Sequence, residues 1–500
     1  MYISTRGGVE PVTASKAIYS GLAPDGGLFV PQSVPCANKE LMDSLDTISY
    51  QDLATEIFGY YLDDFTQEEI KTVVNAAYGE NFDDKEIAPL HKLNDDTYIL
   101  ELWHGPTAAF KDMALQALPH LLKVSMQKQE PDKEVVILVA TSGDTGKAAL
   151  EGFGDVEKTK IIVFYPKDGV SEVQRLQMVT TTGKNTTVVA LDGNFDHCQT
   201  GVKSIFNNVK FNKNLEENNY KLSSANSINW GRLLPQIVYY FKAYGAMVKS
   251  GAVSMGEAIN VVVPTGNFGN ILAGYYAKAM GLPLGRLVCA SNKNNVLTDV
   301  LNDGEYNKNR DFYRTVSPSM DILISSNFER FVFEMNGRDA DALKSLYADL
   351  NDKGSYQLTE DTLKAMQDIM SGYFTDEDTT LATIGDVYKK YDYLMDTHTA
   401  VAVNAWEEYL AQHKGAAPAV VASTANPYKF NKAVYDAINQ KGSADDMDEF
   451  TVSQELKKQT GVEIHRGLQD LDKKEVLHNI AIDRGEMLTT VAKVLGLMGE

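Results

Sequence analysis

The sequence is poor in cysteine, and its few cysteines are widely spaced. Cys36, Cys198 and Cys289 are the three present, and no two of them form a C-x-x-C pair. An odd, dispersed set supports neither a disulfide framework nor a cysteine zinc site. We therefore expect a protein of a reducing compartment, the cytoplasm.

Long hydrophobic segments are also lacking. The N-terminal MYISTRGGVE contains no apolar stretch of signal-peptide length. The apolar run over residues 135–140 is far shorter than the roughly 18 residues that cross a bilayer. We expect neither export nor a membrane partner.

Positive charge is scarce, because 47 Lys and Arg face 68 Asp and Glu and leave a formal net charge of −21. The phosphates of nucleic acids and of anionic membranes repel such a chain, so we expect no nucleic-acid partner. Any anionic ligand must then be bound by local groups. The eight histidines show no H-E-x-x-H or other close ligand spacing, so no metal site is expected.

The composition is that of a large globular protein. The 500 residues are 44% hydrophobic and 23% charged, which predicts about three domains or one elaborated two-lobe enzyme. Residues 1–95 form a mixed, acidic opening segment with a helical pattern near 52–61. Residues 339–391 are rich in acidic residues and tyrosine at helical spacing, which indicates a solvated helical insertion.

Between these segments, apolar β-branched runs are each followed by a small polar loop and a helical pattern. Such units occur at 135–141 before SGDTG, at 260–265 before GNFGN, and at 418–423 before TANP. This alternation predicts an α/β fold with mainly parallel strands. Because ligands of such sheets bind beyond the carboxyl ends of the strands, we expect the three loops to converge on one cleft.

The loop SGDTGK at 142–147 does not fit a nucleotide site. In the Walker spacing, Thr141 stands where the first glycine belongs and Ala148 replaces the Ser or Thr that binds magnesium. The dinucleotide pattern fails too, since Gly152 and Gly154 have Glu157 in place of the third glycine. Both nucleotide interpretations are rejected.

Three other segments carry candidate chemistry. Lys111, in HGPTAAFKD at 104–112, follows an apolar and aromatic run, so burial and a lowered pKa are expected, as in a Schiff-base lysine. GNFGN at 266–270 is either a tight turn or a phosphate site at a helix N-terminus. SANSINWGR at 224–232 is either a polar loop with a helix cap or a second anion site. A lysine and a phosphate loop together indicate pyridoxal phosphate.

The chain resembles the threonine synthase family, which comprises fold-type II pyridoxal-phosphate lyases, and within it the long bacterial and fungal branch. The resemblance rests on ordered blocks at residues 2–7, 21–31, 104–112, 140–146, 224–236, 264–283 and 396–402. Two positions depart from the family. Asn426 replaces a histidine in TANP, and Thr397 replaces a proline in DTHT.

The resemblance implies a two-lobe fold-type II α/β architecture with mainly parallel sheets, an N-terminal α+β domain and a helical insertion. The implied divisions are an N-terminal domain at 1–95, a cofactor-binding body at 96–338, the insertion at 339–391, and the return of the large lobe with the C-terminal segment at 392–500.

The resemblance also implies roles for individual residues. Lys111 would bind the cofactor as a Schiff base and move protons. The cofactor phosphate would be held by Gly266, Asn267, Phe268, Gly269 and Asn270, and Thr424 would face the pyridine nitrogen. The substrate carboxylate would be held by Thr141, Ser142, Asp144 and Thr145. The substrate phosphate would be held by Asn226, Ser227 and Arg232.

The implied reaction converts O-phospho-L-homoserine and water to L-threonine and phosphate, in a monomer or a homodimer. Three alternatives stay open: a serine or threonine dehydratase, a non-catalytic relative that binds a phosphorylated ligand, and a lyase for a related γ-phosphorylated amino acid. A dehydratase would not need the second phosphate site. A binding protein would not need Lys111.

Overall fold

The computed structural model of the chain describes residues 1–141 and 143–497. Two larger sheets form the body of the protein, and nearly all of their strands run parallel. The predicted mainly parallel α/β architecture is confirmed.

The first large sheet has six strands. In spatial order they are Met370–Phe374, Leu284–Ser291, Ile259–Pro264, Ala419–Ser423, Thr97–Glu101 and Leu90–Lys92. Only Leu90–Lys92 runs antiparallel to its neighbour, at one edge. Because Ile259–Pro264 and Ala419–Ser423 are parallel neighbours, the GNFGN and TANP loops leave the sheet at the same edge.

The second large sheet has five parallel strands. In spatial order they are Ile480–Ile482, Thr186–Leu191, Thr159–Pro166, Glu134–Ala140 and Tyr220–Ser223. Alternate side chains of its strands enter two different cores: Ile137 joins the main core of the protein, whereas Val136 and Leu138 pack with the helix Phe195–Phe206. This period of two is the expected pattern for a strand buried on both faces.

Two small antiparallel sheets complete the strands. They pair Tyr2–Ser4 with Phe29–Pro31 and Glu305–Asn307 with Ser355–Gln357.

The helices cover the sheets and build the N-terminal segment. Those before the first large sheet are Ala14–Ser20, Lys39–Ser44, Tyr50–Tyr61 and Gln67–Ala77. Those of the middle of the chain are Asp112–Leu115, Leu118–Gln129, Asp144–Phe153, Glu172–Val179, Phe195–Phe206, Val209–Glu217, Trp230–Lys249, Gly269–Ala279, Val296–Asp303 and Phe328–Met335. The remaining ones are Ala340–Asp352, Glu360–Ile369, Glu377–Tyr391, Thr397–Gln412, Asn431–Ile438, Glu449–Thr460 and Met487–Val494. Short 3-10 helices span Pro318–Met320, Pro427–Phe430, Leu471–Lys473 and Arg484–Glu486.

The N-terminal segment packs directly on the body. The ring of Tyr2 lies edge-on to Trp230, with centroids 5.3 Å apart. The buried Arg330 donates from Nε to the backbone oxygen of Phe29 at 2.9 Å. Asn229 Nδ2 donates to Ile18 O at 2.9 Å. Since Asn229 and Trp230 begin the helix that carries Arg232, the N-terminal segment holds one wall of the candidate site in place.

The segment 339–391 is helical as predicted, but it also contributes strands. Met370 ends the helix Glu360–Ile369 in an extended conformation and begins the edge strand Met370–Phe374. A Cβ atom at Gly372 would lie 2.9 Å from the Cα of Thr298, so glycine is needed for this close approach. The strand escapes sequence reasoning because no turn residue separates it from the helix.

No helix in the described part of the chain is both long enough and apolar enough to span a bilayer.

Candidate active site

A short bridge between two loops holds the segment that carries Lys111. Ala109 pairs with Ala425, and the backbone N–H of Phe110 donates to Thr424 O at 2.8 Å. Thr424 follows the strand Ala419–Ser423, so its loop is fixed at the carboxyl edge of the six-stranded sheet. The bridge therefore brings Lys111 and Thr424 to the same place.

Lys111 is mostly buried and its amine lies among polar groups. Its Nζ is 3.4 Å from Ser319 Oγ and 3.7 Å from Asp144 Oδ2, and 13% of the side chain is exposed. Burial lowers the pKa of Lys111, and the positive charges of Lys429 and Arg232 lower it further against the opposing effect of Asp144. The predicted burial and lowered pKa are therefore found at this lysine.

Asp144 is a buried carboxylate shared by two lysines. Its Oδ1 lies 2.9 Å from Lys429 Nζ and accepts from Gln174 Nε2 at 3.1 Å. Burial alone would raise the pKa of Asp144, but Lys429 and Lys111 bring it well below the ordinary range. Asp144 is therefore ionised. Sequence reasoning missed Lys429. It lies in a 3-10 helix, and its sequence neighbours do not distinguish it from a solvated lysine at the start of a helix.

The turn at residues 141–146 is organised by a threonine hydroxyl. Thr141 Oγ1 accepts from the backbone N–H groups of Gly143 at 3.0 Å and Gly146 at 2.9 Å. Gly143 has a φ of 147°, which favours glycine. Thr145 is partly buried, and Ser142 lies outside the described residues. The turn opens the helix Asp144–Phe153 from the five-stranded sheet, so the predicted cleft draws its loops from both sheets.

The GNFGN loop places a group of free backbone donors at the start of the helix Gly269–Ala279. Phe268 takes a left-handed conformation with a φ of 66° and no side chain caps the helix. Among the described residues, no acceptor pairs with the backbone N–H groups of residues 266–270. A Cβ atom at Gly266 would lie 2.6 Å from Ser319 O, so the loop approaches the Ser319 segment as closely as glycine allows. Free N–H groups at a helix N-terminus are suited to a phosphate.

Asn327 ties this loop to the second candidate anion segment. Its Nδ2 donates to Ser227 O at 3.2 Å and to Asn267 O at 3.1 Å. Asn226 is exposed, and its Oδ1 accepts from Ser227 Oγ at 3.2 Å. The two segments predicted to bind phosphates are therefore neighbours, and Asn327 is a linking residue that sequence reasoning missed.

Arg232 is a buried guanidinium that pairs with no carboxylate in the part of the chain that the structure describes. Its Nη1 donates to Ala225 O at 2.9 Å, while its buried Nε has no hydrogen-bond partner among the described residues. Burial lowers the pKa of Arg232 to about 10. A buried cation with an open donor fits an anionic ligand, because it would otherwise be left without compensation.

The DTHT segment at residues 396–399 supports the site through a bond to the Ser319 segment. His398 Nδ1 lies 2.7 Å from Asp396 Oδ2, and its Nε2 accepts from the backbone N–H of Ser319 at 3.1 Å. Ser319 in turn contacts Lys111.

Thr397, at the family's proline position, is the first residue of the helix Thr397–Gln412, where proline is well tolerated. The replacement therefore leaves the turn intact.

Asn426, at the family's histidine position, has a local structural role. It is 3% exposed, and its Oδ1 accepts from the backbone N–H of Tyr428 at 3.1 Å. This bond caps the 3-10 helix Pro427–Phe430, which carries Lys429. The substitution thus preserves the placement of Lys429.

Across residues 1–141 and 143–497, no three His, Cys, Asp or Glu side chains are grouped so that they could hold a metal ion.

Comparison with protein families assigns most of the chain. Residues 1–78 match the family described as "Threonine synthase N terminus", residues 85–424 match "Pyridoxal-phosphate dependent enzyme", and residues 399–475 match "Threonine synthase, C-terminal". The predicted cofactor family is confirmed.

Individual relatives agree with this assignment. The chain is 40% identical over 437 residues to threonine synthase-like 1 of Homo sapiens, covering 85% of this chain and 58% of the human protein. It therefore spans less than two thirds of that longer relative. It is 38% identical over 437 residues to threonine synthase of Pseudomonas aeruginosa, covering 87% of this chain and 90% of that protein.

A solved structure shows the same architecture. The crystal structure of pyridoxal-phosphate-bound threonine synthase from Brucella melitensis is 36% identical, with a TM-score of 0.88 over 98% of both chains. The predicted fold-type II architecture is confirmed. The chain belongs to the threonine synthase family of pyridoxal-phosphate dependent enzymes.

Proposed function

We propose that this protein converts O-phospho-L-homoserine and water to L-threonine and phosphate. The observation that carries the proposal is the pair of anion sites beside Lys111. One is the group of free N–H donors at residues 266–270, and the other is the guanidinium of Arg232, whose Nε has no partner among the described residues. A cofactor phosphate and a substrate phosphate would use one site each.

The residues present fit pyridoxal phosphate. The uncapped loop at 266–270 would bind the phosphate of the cofactor, and the amine of the buried Lys111 would bond to its carbonyl carbon. Thr424, which is 5% exposed, would meet the pyridine nitrogen with a neutral hydroxyl. When bound, the cofactor supplies an electron sink for the carbanion formed next to the substrate amine.

Lys111 would act as both attachment point and proton carrier. Its lowered pKa favours a neutral amine that can attack a carbonyl. With the substrate in the site, Nζ would be the base that takes the proton from the carbon next to the substrate amine. Ser319 and Asp144, at 3.4 and 3.7 Å, keep Nζ near that position.

The turn at 141–145 would hold the substrate carboxylate. Its position at the start of the helix Asp144–Phe153 provides backbone N–H groups and a favourable dipole. The ionised carboxylate of Asp144 would repel a second carboxylate, so Asp144 fits a different task, that of counter-ion to Lys429 and Lys111. We therefore propose that the backbone and hydroxyl groups of Thr141, Ser142 and Thr145 make the contact with the substrate.

The substrate phosphate would lie between Arg232 and the Asn226–Ser227 pair. Charge-assisted donors gain most as the leaving phosphate develops negative charge, so they would promote its departure from the γ-carbon. Water would then add at the β-carbon. The exposed amide of Asn226 would contact the phosphate on the solvent side of the site.

Arg232 and Lys111 distinguish the proposed reaction from two of its three alternatives. A serine or threonine dehydratase acts on substrates without phosphate and would leave the buried Nε of Arg232 open. A non-catalytic relative would have no use for a lysine with a lowered pKa. A lyase for a related γ-phosphorylated amino acid would use the same groups, so substrate comparison must decide between the two.

The test is a direct assay of the purified protein with pyridoxal phosphate. Phosphate release and threonine formation from O-phospho-L-homoserine should be equimolar, and serine and threonine should give little 2-oxo acid. Lys111→Ala should abolish both products and the visible absorbance of the bound cofactor. A Lys111→Ala protein that still releases phosphate at the wild-type rate would refute the mechanism. The cytoplasmic location, the oligomeric state and the domain boundaries stay predictions.

A further inference from the structure

Lys429 is a second buried lysine at the site. Its side chain is 0% exposed, although lysine is almost never fully buried unless it is paired. Sequence reasoning assigned it no role. Its burial therefore calls for a function that depends on its charge or on its contacts.

Three acceptors fix the ammonium group of Lys429. Its Nζ lies 2.9 Å from Asp144 Oδ1, 2.9 Å from Thr107 O and 3.3 Å from Gln177 Oε1. Gln177 is itself held by a bond from its Nε2 to Gly467 O at 3.2 Å. The three N–H donors of the ammonium are thus all used, and the charge is fixed in place.

The fixed charge of Lys429 acts on Asp144, and Asp144 in turn acts on Lys111. Lys429 and Gln174 occupy Asp144 Oδ1, while Oδ2 faces Lys111 Nζ at 3.7 Å, beyond hydrogen-bond distance. One carboxylate thus faces two lysines. If both were protonated, the group would carry a net positive charge next to the buried Arg232.

We propose that Lys429 is a positioning residue that neutralises Asp144 and thereby leaves the Lys111 amine uncharged and able to attack the cofactor carbonyl. The inference rests on the proposed role of Lys111 as the attachment point. It extends that role, because it assigns the control of the amine to a residue that touches neither substrate nor cofactor.

Two other charged groups face this cluster. Arg232 adds positive charge and acts in the same direction as Lys429. Asp112 is fully buried and accepts from the N–H and Oγ1 of Thr107, and burial raises its pKa to about 7. Since Asp112 titrates in the range of interest, the experiment compares variants that retain it.

The experiment measures the ionisation of Lys111 in the cofactor-free protein. Trace acetylation with acetic anhydride between pH 6 and 11, with mass spectrometry of the peptide that contains Lys111, gives the pH midpoint of its amine. Lys429→Met should raise this midpoint by about one pH unit or more, because Asp144 then stabilises only the Lys111 ammonium. Lys429→Arg retains the charge and should keep the midpoint near that of the wild type.

A double variant and a matched control sharpen the result. Lys429→Met combined with Asp144→Asn removes both charges and should return the midpoint to the wild-type value or below. Lys147→Met removes a cation from the same helix as Asp144, where Lys147 pairs with Glu151 at 2.7 Å, and should leave the midpoint unchanged.

A folded Lys429→Met protein with an unchanged midpoint would overturn the proposal. If Lys429→Met does not fold, Lys429→Arg decides, since a raised midpoint with the charge retained would contradict the proposal and an unchanged one supports it. The readout needs neither substrate nor turnover. A protein that shows these shifts but makes no threonine would therefore refute the proposed function alone.

Discussion

His398 accepts a hydrogen bond from the backbone N–H of Ser319 at 3.1 Å, and this bond sets one wall of the Lys111 pocket. Because Nε2 is the acceptor, the ring proton lies on Nδ1 and is donated to Asp396 Oδ2 at 2.7 Å. Ser319 then faces Lys111 through Oγ and the Gly266 loop through its backbone oxygen. A buried histidine thus controls the distance between the candidate lysine and the candidate phosphate loop.

Removing this histidine should weaken cofactor binding. In His398→Ala the N–H of the partly buried Ser319 loses its acceptor, which costs on the order of 1–2 kcal/mol, the lower part of the range for an unsatisfied buried donor. We expect the dissociation constant of pyridoxal phosphate to rise about tenfold or more, as 1.4 kcal/mol corresponds to a factor of about ten. Absorbance titration of the cofactor-free protein measures it. His413→Ala, at an exposed histidine that follows the opposite end of the helix Thr397–Gln412 from His398, is the matched control. Equal affinities in the two variants would contradict this role of His398.

A methyl group at Gly266 should also disturb the Ser319 segment, in this case from the side of the GNFGN loop. The Cβ of Gly266→Ala would lie 2.6 Å from Ser319 O, so either the loop or the Ser319 segment must move. Overpacking of this kind typically costs about 1–3 kcal/mol, and here it should reduce cofactor affinity as well as thermal stability. Gly485→Ala is the control, because nothing lies within 4 Å of a Cβ at that position. Wild-type affinity in Gly266→Ala would show that the loop does not approach Ser319 this closely.

Much of this site follows from local sequence pattern. The strands Glu134–Ala140, Ile259–Pro264 and Ala419–Ser423 are apolar runs that end at small polar residues, so their loops could be placed at strand ends in advance. The burial of Lys111 was likewise indicated by its apolar neighbours. These features depend on residues close together in the chain.

The missed residues reach the site by long-range packing. Ser319 lies in a stretch from 308 to 327 that contains only one 3-10 turn, so no periodicity points to it. Lys429 is two positions beyond a proline, and its ammonium is enclosed by Asp144, Thr107 and Gln177, which are distant from it in the chain. Pairings of this kind depend on how the two sheets face each other, and local sequence does not encode that relationship.

Arg232 should govern phosphate release without governing cofactor attachment. Arg232→Ala removes the donors proposed for the leaving phosphate, and loss of such a preorganised donor typically reduces kcat about 10²–10³-fold. The visible absorbance of the bound cofactor should persist, since Lys111 and residues 266–270 are unchanged. Phosphate release from O-phospho-L-homoserine and the absorbance spectrum are measured on the same sample. Arg175→Ala, at a partly exposed arginine paired with Glu172 at 2.7 Å, should retain activity. An Arg232→Ala protein with normal phosphate release would place the substrate phosphate elsewhere.

The pH dependence of stability should reveal the ion pairs of His104. Burial alone would lower the pKa of His104, but hydrogen bonds to Asp83 and Glu101 raise it to about 9. Histidine in an unfolded chain titrates near pH 6.5, about 2.5 pH units lower, so the pairs contribute at most about 3.4 kcal/mol.

The sign of this effect follows from the raised pKa. The contribution is complete below about pH 6.5, where folded and unfolded chains are both protonated, and it is lost as the pH rises through about 9. The difference in Tm between wild type and His104→Gln should therefore be large at pH 6 and small at pH 10. Taking the difference between two proteins cancels the titration of groups that do not interact with His104, and Asp83, whose pKa is held low, stays ionised in both above pH 6. A difference that grows toward pH 10 would mean that the neutral ring of His104, rather than its charge, provides the stabilising contacts with Asp83 and Glu101.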